Sequence, residues 1–136
     1  MTLRRLLVLS ALVCPLSLAF GPAARAADIN GAWAHDKASC NQIYVKRNGQ
    51  ISFTEDADLH GTGFIIEANR IRGKLATCSI KKRKDDGSTV HLIATCSTDV
   101  AVETIQFSLK IDSDSQITRL YPGVPELDTP YQRCPL

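Results

Sequence analysis

Few residues of the chain could carry catalysis or bind a metal, and their spacing does not gather them into one site. Three histidines are spread along the sequence, at His35, His60 and His91. No serine–histidine–acid set arises from local spacing, and His91 alternates with apolar neighbours, which predicts a surface position. The acidic run from Glu55 to His60 could offer ligands to a cation, but a solvated loop has the same composition. We therefore predict no catalytic residue, no metal ion and no cofactor.

Cysteines carry the clearest chemical prediction. The chain has five, and Cys14 falls in an N-terminal segment that we expect to be removed. The other four are Cys40, Cys78, Cys96 and Cys134. An even number in a small exported chain indicates two disulfides, and the absence of a C-x-x-C pair argues against a metal site.

Strand parity favours one of the three disulfide connectivities. Cys78 and Cys96 lie on the apolar faces of two strands joined by one turn, and a five-residue loop over 85–89 would place them opposite each other. Cys40 and Cys134 are then left to pair, which would join the first loop to the C-terminal tail. Pairing of Cys40 with Cys78 or Cys96 stays open at this point.

Basic side chains are concentrated in one stretch of the sequence. They are Arg70, Arg72, Lys74, Lys81, Lys82, Arg83 and Lys84. Together they could form an anion-binding patch for a charged partner or surface. Lysines at a strand edge also discourage aggregation, and Asp85 and Asp86 follow at once, so a solvated strand end is the alternative.

Residues 1–26 have the three parts of a secretory signal peptide. Arg4 and Arg5 precede a 15-residue apolar stretch, Leu6–Phe20, and Ala24-Arg25-Ala26 has the A-x-A form of a cleavage site. A membrane span needs about 20 apolar residues, so the stretch is too short for an anchor. We predict cleavage near Ala26 and a secreted or periplasmic chain without a transmembrane segment.

Removal of this segment changes the charge balance. It carries three arginines and no acid, which leaves 13 basic and 14 acidic residues and a net charge of −1. A nucleic-acid partner therefore has no support from overall charge.

Alternation of apolar and polar residues indicates short β-strands. Ile105, Phe107, Leu109 and Ile111 alternate with polar residues, as in a strand with one buried face. The predicted strands are 31–36, 42–47, 50–55, 62–68, 70–82, 89–97, 103–111 and 116–121. They predict an all-β domain over 27–121, an antiparallel eight-stranded meander that closes into a barrel or packs as a sandwich.

Three segments need more than simple alternation. A three-residue loop over Arg47–Gly49 keeps one hairpin face apolar, with Val45 opposite Ile51. The apolar face switches near Gly73, which indicates a β-bulge or, as the alternative, a strand break. The tail over 122–136 contains four prolines, so we expect an extended strap held by its cysteine and not a central strand.

Gly31-Ala32-Trp33 opens the first predicted strand in the pattern Gly-x-Trp. With the strand count, this motif resembles the calycin group of small eight-stranded barrels, which includes lipocalins, avidins and bacterial periplasmic metalloprotease inhibitors. The resemblance implies that Trp33 closes one barrel end under an arginine of the last strand, and Arg119 stands at a suitable place. The chain departs from those inhibitors in its four cysteines and Pro-rich tail.

These observations predict an exported, non-catalytic β-barrel protein. We expect a binding or inhibitor-like module for another macromolecule, with an unknown protein or an anionic surface as its partner. The alternative is a small-ligand carrier, which an enclosed cavity of roughly 300 Å³ or more would favour. A secreted enzyme is the third reading, and it needs an acid, a base and a nucleophile converging in one cleft. The sequence does not indicate an oligomeric state.

Overall fold

The computed structural model describes residues 26–136, so all of the predicted signal peptide except Ala26 lies outside the described residues. In this part of the chain the strands are β1 (Gly31–Ala34), β2 (Tyr44–Arg47), β3 (Gln50–Phe53), β4 (Gly63–Glu67), β5 (Arg70–Arg72), β6 (Thr77–Asp86), β7 (Thr89–Ser97), β8 (Val102–Ser113), β9 (Gln116–Leu120) and β10 (Thr129–Arg133). The helical elements are α1 (Cys40–Ile43) and three short 3-10 helices at Lys37–Ser39, Ala57–Leu59 and Pro125–Leu127.

Eight of these strands form a closed antiparallel barrel, which confirms the predicted all-β barrel over the sandwich. Their order around the barrel is β1-β10-β9-β8-β7-β6-β5-β4, and β1 also pairs with β4 to close the ring. From β4 to β10 each strand pairs with the next along the chain, as a meander requires. The eight strands are not the eight predicted: β2 and β3 lie outside the barrel, β10 lies within it, and the predicted strand over 70–82 is divided into β5 and β6.

The expectation that the Pro-rich tail cannot form a central strand is wrong. β10 pairs with β9 along Thr129–Gln132 and with β1 through Arg133, which lies opposite Trp33. Pro130 is tolerated because β1 has ended at its level, where its carbonyl oxygen lies 3.1 Å from Nδ1 of His35. The N–H that proline lacks therefore costs no hydrogen bond of the sheet.

The hairpin β2–β3 is a separate two-stranded sheet with a two-residue turn, so the expected three-residue loop is also wrong. Val45 lies opposite Ser52, and both Asn48 and Gly49 have positive φ, at 51° and 76°. This geometry matches a type I′ turn, for which Asn-Gly is the preferred pair. A wholly apolar face is not required here, because the hairpin contributes only a few side chains to a small core beside the barrel.

That small core covers the outer face of β1 and β4. It is formed by Ala32, Ala34, Cys40, Ile43, Tyr44, Ala57, Ile65 and Cys134. The main core fills the barrel interior, where Trp33, Ile66, Leu92 and Ile117 are almost completely buried. The first strand is therefore apolar on both faces, because each face packs against a different core.

The face switch near Gly73 is a strand break, the alternative to the expected bulge. β5 ends at Arg72, and the Gly73 amide donates to the Ala76 carbonyl at 2.8 Å within a four-residue turn. β5 and β6 therefore lie side by side, with Ile71 opposite Cys78. The single predicted strand over 70–82 is a hairpin.

Both predicted disulfides are present. Cys40–Cys134 ties α1 to the end of the chain, with a Cα–Cα distance of 5.6 Å. Cys78–Cys96 joins two directly opposed residues of β6 and β7. These bonds indicate an oxidising environment, as found outside the cytoplasm.

The register at the second disulfide arises differently from our prediction. The β6–β7 hairpin ends in the two-residue turn Gly87-Ser88, and not in a five-residue loop. A bulge at Lys81 supplies the odd residue that keeps the cysteines opposite each other. Beyond this bulge the odd-numbered residues of β6, and no longer the even-numbered ones, lie at inward-facing positions. Arg83, opposite Leu92, therefore takes the inward-facing position that strict alternation assigned to Lys82.

Candidate functional site

The two ends of the barrel differ, and one is closed by Trp33. This side chain is fully buried, and its indole Nε1 donates a 2.9 Å hydrogen bond to the Ile29 carbonyl. The guanidinium of Arg133 lies over the indole ring, 4.3 Å from its centre. Arg133 also donates to the Asn30 and Asp28 carbonyls, which fixes the segment before β1 across this end.

The expectation that Arg119 covers Trp33 is wrong. Arg133 takes that place because it lies opposite Trp33 on β10, a strand that we did not predict. Gly31 lies beside the same arginine. A Cβ atom at position 31 would be only 3.1 Å from a terminal guanidinium nitrogen of Arg133. Since Gly31 also has a φ of 127°, a side chain at this position is doubly disfavoured.

The other end of the barrel is open and leads into a cavity of about 270 Å³. Its inner wall is mostly apolar and includes Phe64, Ile66, Ile71, Ile105, Phe107, Leu109 and the Cys78–Cys96 disulfide. The polar side chains of the lining are Thr62, Thr98, Glu103, Arg119 and Tyr131. This cavity is just below the lower end of the range in which proteins bind drug-sized molecules, about 300–1,000 Å³.

Arg119 is the cation of this cavity. It is half-buried near the end of β9, and its guanidinium lies 4.8 Å from the ring centre of Phe107 and 4.7 Å from that of Tyr121. Among residues 26–136, no carboxylate forms an ion pair with it. In the described residues, the guanidinium is therefore stabilised by contacts with two aromatic faces. Its N–H groups are available to donate hydrogen bonds to a ligand.

Tyr131 lies beside this arginine on the cavity wall. Its ring packs edge-on against Phe64 at 4.8 Å between centres, and the side chain is buried. Burial raises the pKa of Tyr131, the charge of a nearby Tyr121 adds to this, and the charge of Arg119 opposes it. The phenol therefore keeps its proton at neutral pH and can donate it in a hydrogen bond.

Exposed apolar side chains lie in or next to the connections at the open end of the barrel. They are Leu59, Leu75, Val100, Val102, Val124 and Leu127. All six lie in or next to the loops and turns that connect strands at this end, and Val100 is 94% exposed. The same loops carry the acids Asp58, Asp99 and Glu126. We call this set of apolar and acidic residues the rim.

The seven predicted anion-binding residues do not act as one group. Arg72 donates to the Ile51 carbonyl and to Glu67, at 2.7 and 2.9 Å, and so holds the hairpin to the barrel. Lys74, at the open end, donates to two carbonyls of the acidic loop, those of Thr54 and Glu55. Arg70 lies 3.9 Å from the same glutamate as Arg72.

The remaining four lie along β6 near the closed end. Arg83 is paired with Asp85 and donates to the Ala27 carbonyl. Lys82 and Lys84 lie opposite Ile93 and His91, and with them line a depression on the outer surface. Lys81 occupies the bulge and is exposed.

The remaining titratable candidates are placed apart. His91 is half-buried on the outer face, with Nδ1 2.9 Å from the Ser108 hydroxyl, and His60 is exposed in the acidic loop. Within residues 26–136, no three histidine, cysteine or acidic side chains are close enough to hold a metal ion. The described helices include none that is long and apolar enough to cross a membrane.

Sequence reasoning missed Arg119 and Tyr131 as neighbours in a cavity. The alternation pattern could have indicated part of this arrangement. If Leu109 is placed opposite Arg119, then Arg119 faces the barrel interior together with Phe107 and Leu109. The rim was missed because its residues lie in turns, where period-two analysis assigns no face.

No protein-family model, curated protein or solved structure matches this chain. The geometry of the open end is therefore the basis for a functional proposal.

Proposed function

We propose that the chain is an exported, non-catalytic binding protein that holds a small, largely apolar ligand in the open half of its barrel. The observation that carries the proposal is the cavity of about 270 Å³ at the open end, which is lined mostly by apolar side chains. The proposal includes a signal peptide cleaved near Ala26 and a calycin-type barrel. The two disulfides support export, and the closed eight-stranded ring supports the barrel type.

Partly buried apolar side chains on the inner face of the open half support a ligand site. At the closed end Trp33 and Ile117 are almost completely buried, and a depression of about 370 Å³ lies against them, lined also by Ile111 and Arg133. At the open end Phe107 and Ile105 are only partly buried, although they lie on the inner face of β8. Apolar surface left open in this way costs stability, and a ligand that covers it would recover about 25 cal/mol per Å².

The lining also favours binding over chemistry. Glu103 lies four residues from Phe107 along β8, about 13 Å at roughly 3.3 Å per residue. Its backbone is therefore well separated along the strand from Phe107, whose ring Arg119 contacts, and no ion pair joins Glu103 to Arg119 in the described residues. Tyr131 keeps its proton at neutral pH, and its hydroxyl group and the Arg119 guanidinium are hydrogen-bond donors. We therefore assign no catalytic role to any of them.

The test is a titration of the isotope-labelled, disulfide-bonded protein with 1-octanol and with toluene, followed by amide NMR shifts. We expect saturable shifts at residues of the cavity lining. Ala76→Phe should abolish them, because Ala76 lines the cavity and a phenyl group would occupy it. Ala38→Phe, at an exposed position remote from the cavity, is the matched control and should bind normally. Saturable binding that Ala76→Phe leaves unchanged would contradict the proposal.

A second candidate function is docking of the open end on another macromolecule, as the sequence led us to expect. The rim favours it, because six exposed apolar side chains lie in or beside four connections at the same end of the barrel. Its acids make the complementary partner a protein surface that is both apolar and basic.

This candidate can be tested with two synthetic amphipathic peptides, one of leucine and lysine and one of leucine and glutamate. We expect only the basic peptide to shift the rim amides, and Leu75→Ser with Val100→Ser to weaken it. Ile93→Ser on the outer barrel face is the control. Ala76→Phe separates the two functions, because it fills the cavity and leaves the rim in place.

A further inference from the structure

The Arg119 side chain is in an unusual position for a cation. It lines a mostly apolar cavity, it is half-buried, and no carboxylate among residues 26–136 pairs with it. A partly desolvated charge is costly unless it is paired or hydrogen-bonded. The other half-buried arginines have such partners, since Arg72 binds Glu67 and Arg133 binds three carbonyl groups.

We propose that the ligand of this cavity is a small anionic amphiphile, whose carboxylate binds Arg119 while its apolar tail fills the barrel interior. This inference rests on the proposed function, to which it adds the chemical class of the ligand and the residue that selects it.

The guanidinium is held ready for such a head group. Phe107 and Tyr121 both lie against it, within 4.8 Å of its central carbon. Tyr121 is itself fixed, because its backbone amide donates a 2.7 Å hydrogen bond to Asp128. Stacking on aromatic faces leaves the N–H groups at the guanidinium edge free, and this planar fork matches the two oxygens of a carboxylate.

The distribution of polar groups in the lining fits an anion bound at Arg119. Tyr131 and Arg119 line the same cavity from the paired strands β10 and β9, and the Tyr131 hydroxyl is a second polar group on this wall. The acid of the lining, Glu103, lies toward the mouth, about 13 Å from Phe107 by the strand spacing. An anionic head at Arg119 therefore does not meet a like charge at close range.

The cavity volume limits the size of the ligand. At about 270 Å³ it is slightly smaller than pockets for drug-sized molecules. A ligand of on the order of ten non-hydrogen atoms is the appropriate size. Octanoate has both the required carboxylate and the required size. 1-Octanol and octylamine are its neutral and cationic counterparts with the same tail.

The experiment measures dissociation constants of these three probes for the disulfide-bonded protein by amide NMR titration, and records the side-chain Nε–Hε signal of Arg119. We expect octanoate to bind at least about tenfold more tightly than 1-octanol and to shift this signal. Arg119→Gln should weaken octanoate about 10- to 100-fold and change 1-octanol less than about twofold. Arg119→Lys should retain part of the preference, and Arg70→Gln, outside the cavity, should change nothing.

The outcomes separate the two proposals. If 1-octanol or octylamine binds as tightly as octanoate, the anionic class is wrong and the ligand-binding function stands. If no probe shifts the cavity residues, the proposed function is wrong and the inference falls with it. The Nε–Hε signal of Arg119 is measured on the wild-type protein. The inference can therefore be contradicted even if an Arg119 variant fails to fold.

Discussion

The hydroxyl group of Tyr44 donates a 2.6 Å hydrogen bond to the carbonyl oxygen of Trp33, and so ties the hairpin outside the barrel to the first strand inside it. Gly63 makes this contact possible, because a Cβ atom at that position would collide with the same hydroxyl and carbonyl. Tyr44 is 2% exposed and belongs to the small core beside the barrel. This hydrogen bond therefore links the small core to the strand that carries Trp33.

Tyr44→Phe should lower the free energy of unfolding at pH 7 by about 1 kcal/mol, since it removes the donor and leaves the Trp33 carbonyl unsatisfied. Gly63→Ala should cost about 1–3 kcal/mol through overpacking. Urea unfolding measures both, and Tyr121→Phe at a half-buried site should change stability by less than about 0.5 kcal/mol. Equal stabilities for Tyr44→Phe and the wild type would contradict the assigned bond.

Alkaline pH should destabilise the protein through the same residue. Burial raises the pKa of Tyr44 well above its ordinary value, the Tyr131 charge adds to this, and the bond to Phe64 opposes it. In the unfolded chain tyrosine titrates near about pH 10. Above that pH the folded state holds more protons than the unfolded state, so stability is complete below about pH 10 and falls as the pH rises further.

Urea unfolding at about pH 8 and about pH 11 measures this loss, and Tyr44→Phe should lose less stability over the interval than the wild type. Burial also raises the pKa of Tyr131, so part of the loss should persist in the variant. An identical loss in both proteins would show that Tyr44 does not contribute.

The two arginines of the barrel interior should respond differently to substitution. Arg133→Gln should lower stability by about 1–3 kcal/mol, because it removes a cation–π contact with Trp33 and hydrogen bonds to the backbone at the closed end. Arg119→Gln should cost less than Arg133→Gln without ligand, because the loss of two aromatic contacts is offset by the removal of a partly desolvated, unpaired charge. Thermal unfolding compares them, and the reverse order would contradict the placement of these side chains.

The disulfide that closes the longer loop should stabilise the protein more than the one that closes the shorter loop. Cys40–Cys134 spans 94 residues and Cys78–Cys96 spans 18. The chain-entropy model gives about 4.7 kcal/mol for the first and about 3 kcal/mol for the second. Paired Cys→Ser variants, compared by urea unfolding, should follow this order. A larger loss for the short loop would show that its effect lies in the folded strands.

The lysines of β6 should behave as a solvated strand end. Changing Lys81, Lys82 and Lys84 to Ser should leave retention on heparin unchanged across a salt series, because their basic neighbours are engaged elsewhere in the fold. Exposed contacts with an anion would weaken as salt screens them over about 8 Å at physiological ionic strength. Earlier elution of the triple variant than of the wild type at low salt would instead assign an anion-binding role to the outer surface of β6.

Alternation predicted the central strands well because one face of each packs into a single core. β7 and β8 were located to within a few residues, and the parity of Cys78 and Cys96 identified both disulfides. Alternation does not show which strands share a sheet. The hairpin β2–β3 was placed in the barrel for this reason, although it covers a separate core.

The errors share a physical cause, which is that long-range pairing overrode local preference. Pro130 was read as excluding a strand, but proline is excluded only where both sides of the strand are paired at its level. The missing strand then carried Arg133 to Trp33, a pairing 100 residues apart that no local pattern reports. The cavity was equally invisible, because its volume depends on side chains from most strands of the ring.

The position of β10 between β1 and β9 determines when the barrel can close during synthesis of the chain. β1 is made first and pairs with a strand that ends at residue 133, so the ring cannot close until the chain has been synthesised that far. Contacts this distant in sequence form slowly. The nascent protein therefore stays open while most of its length emerges, and a truncation that removes β10 should yield an unsealed sheet with two free edges exposed to aggregation.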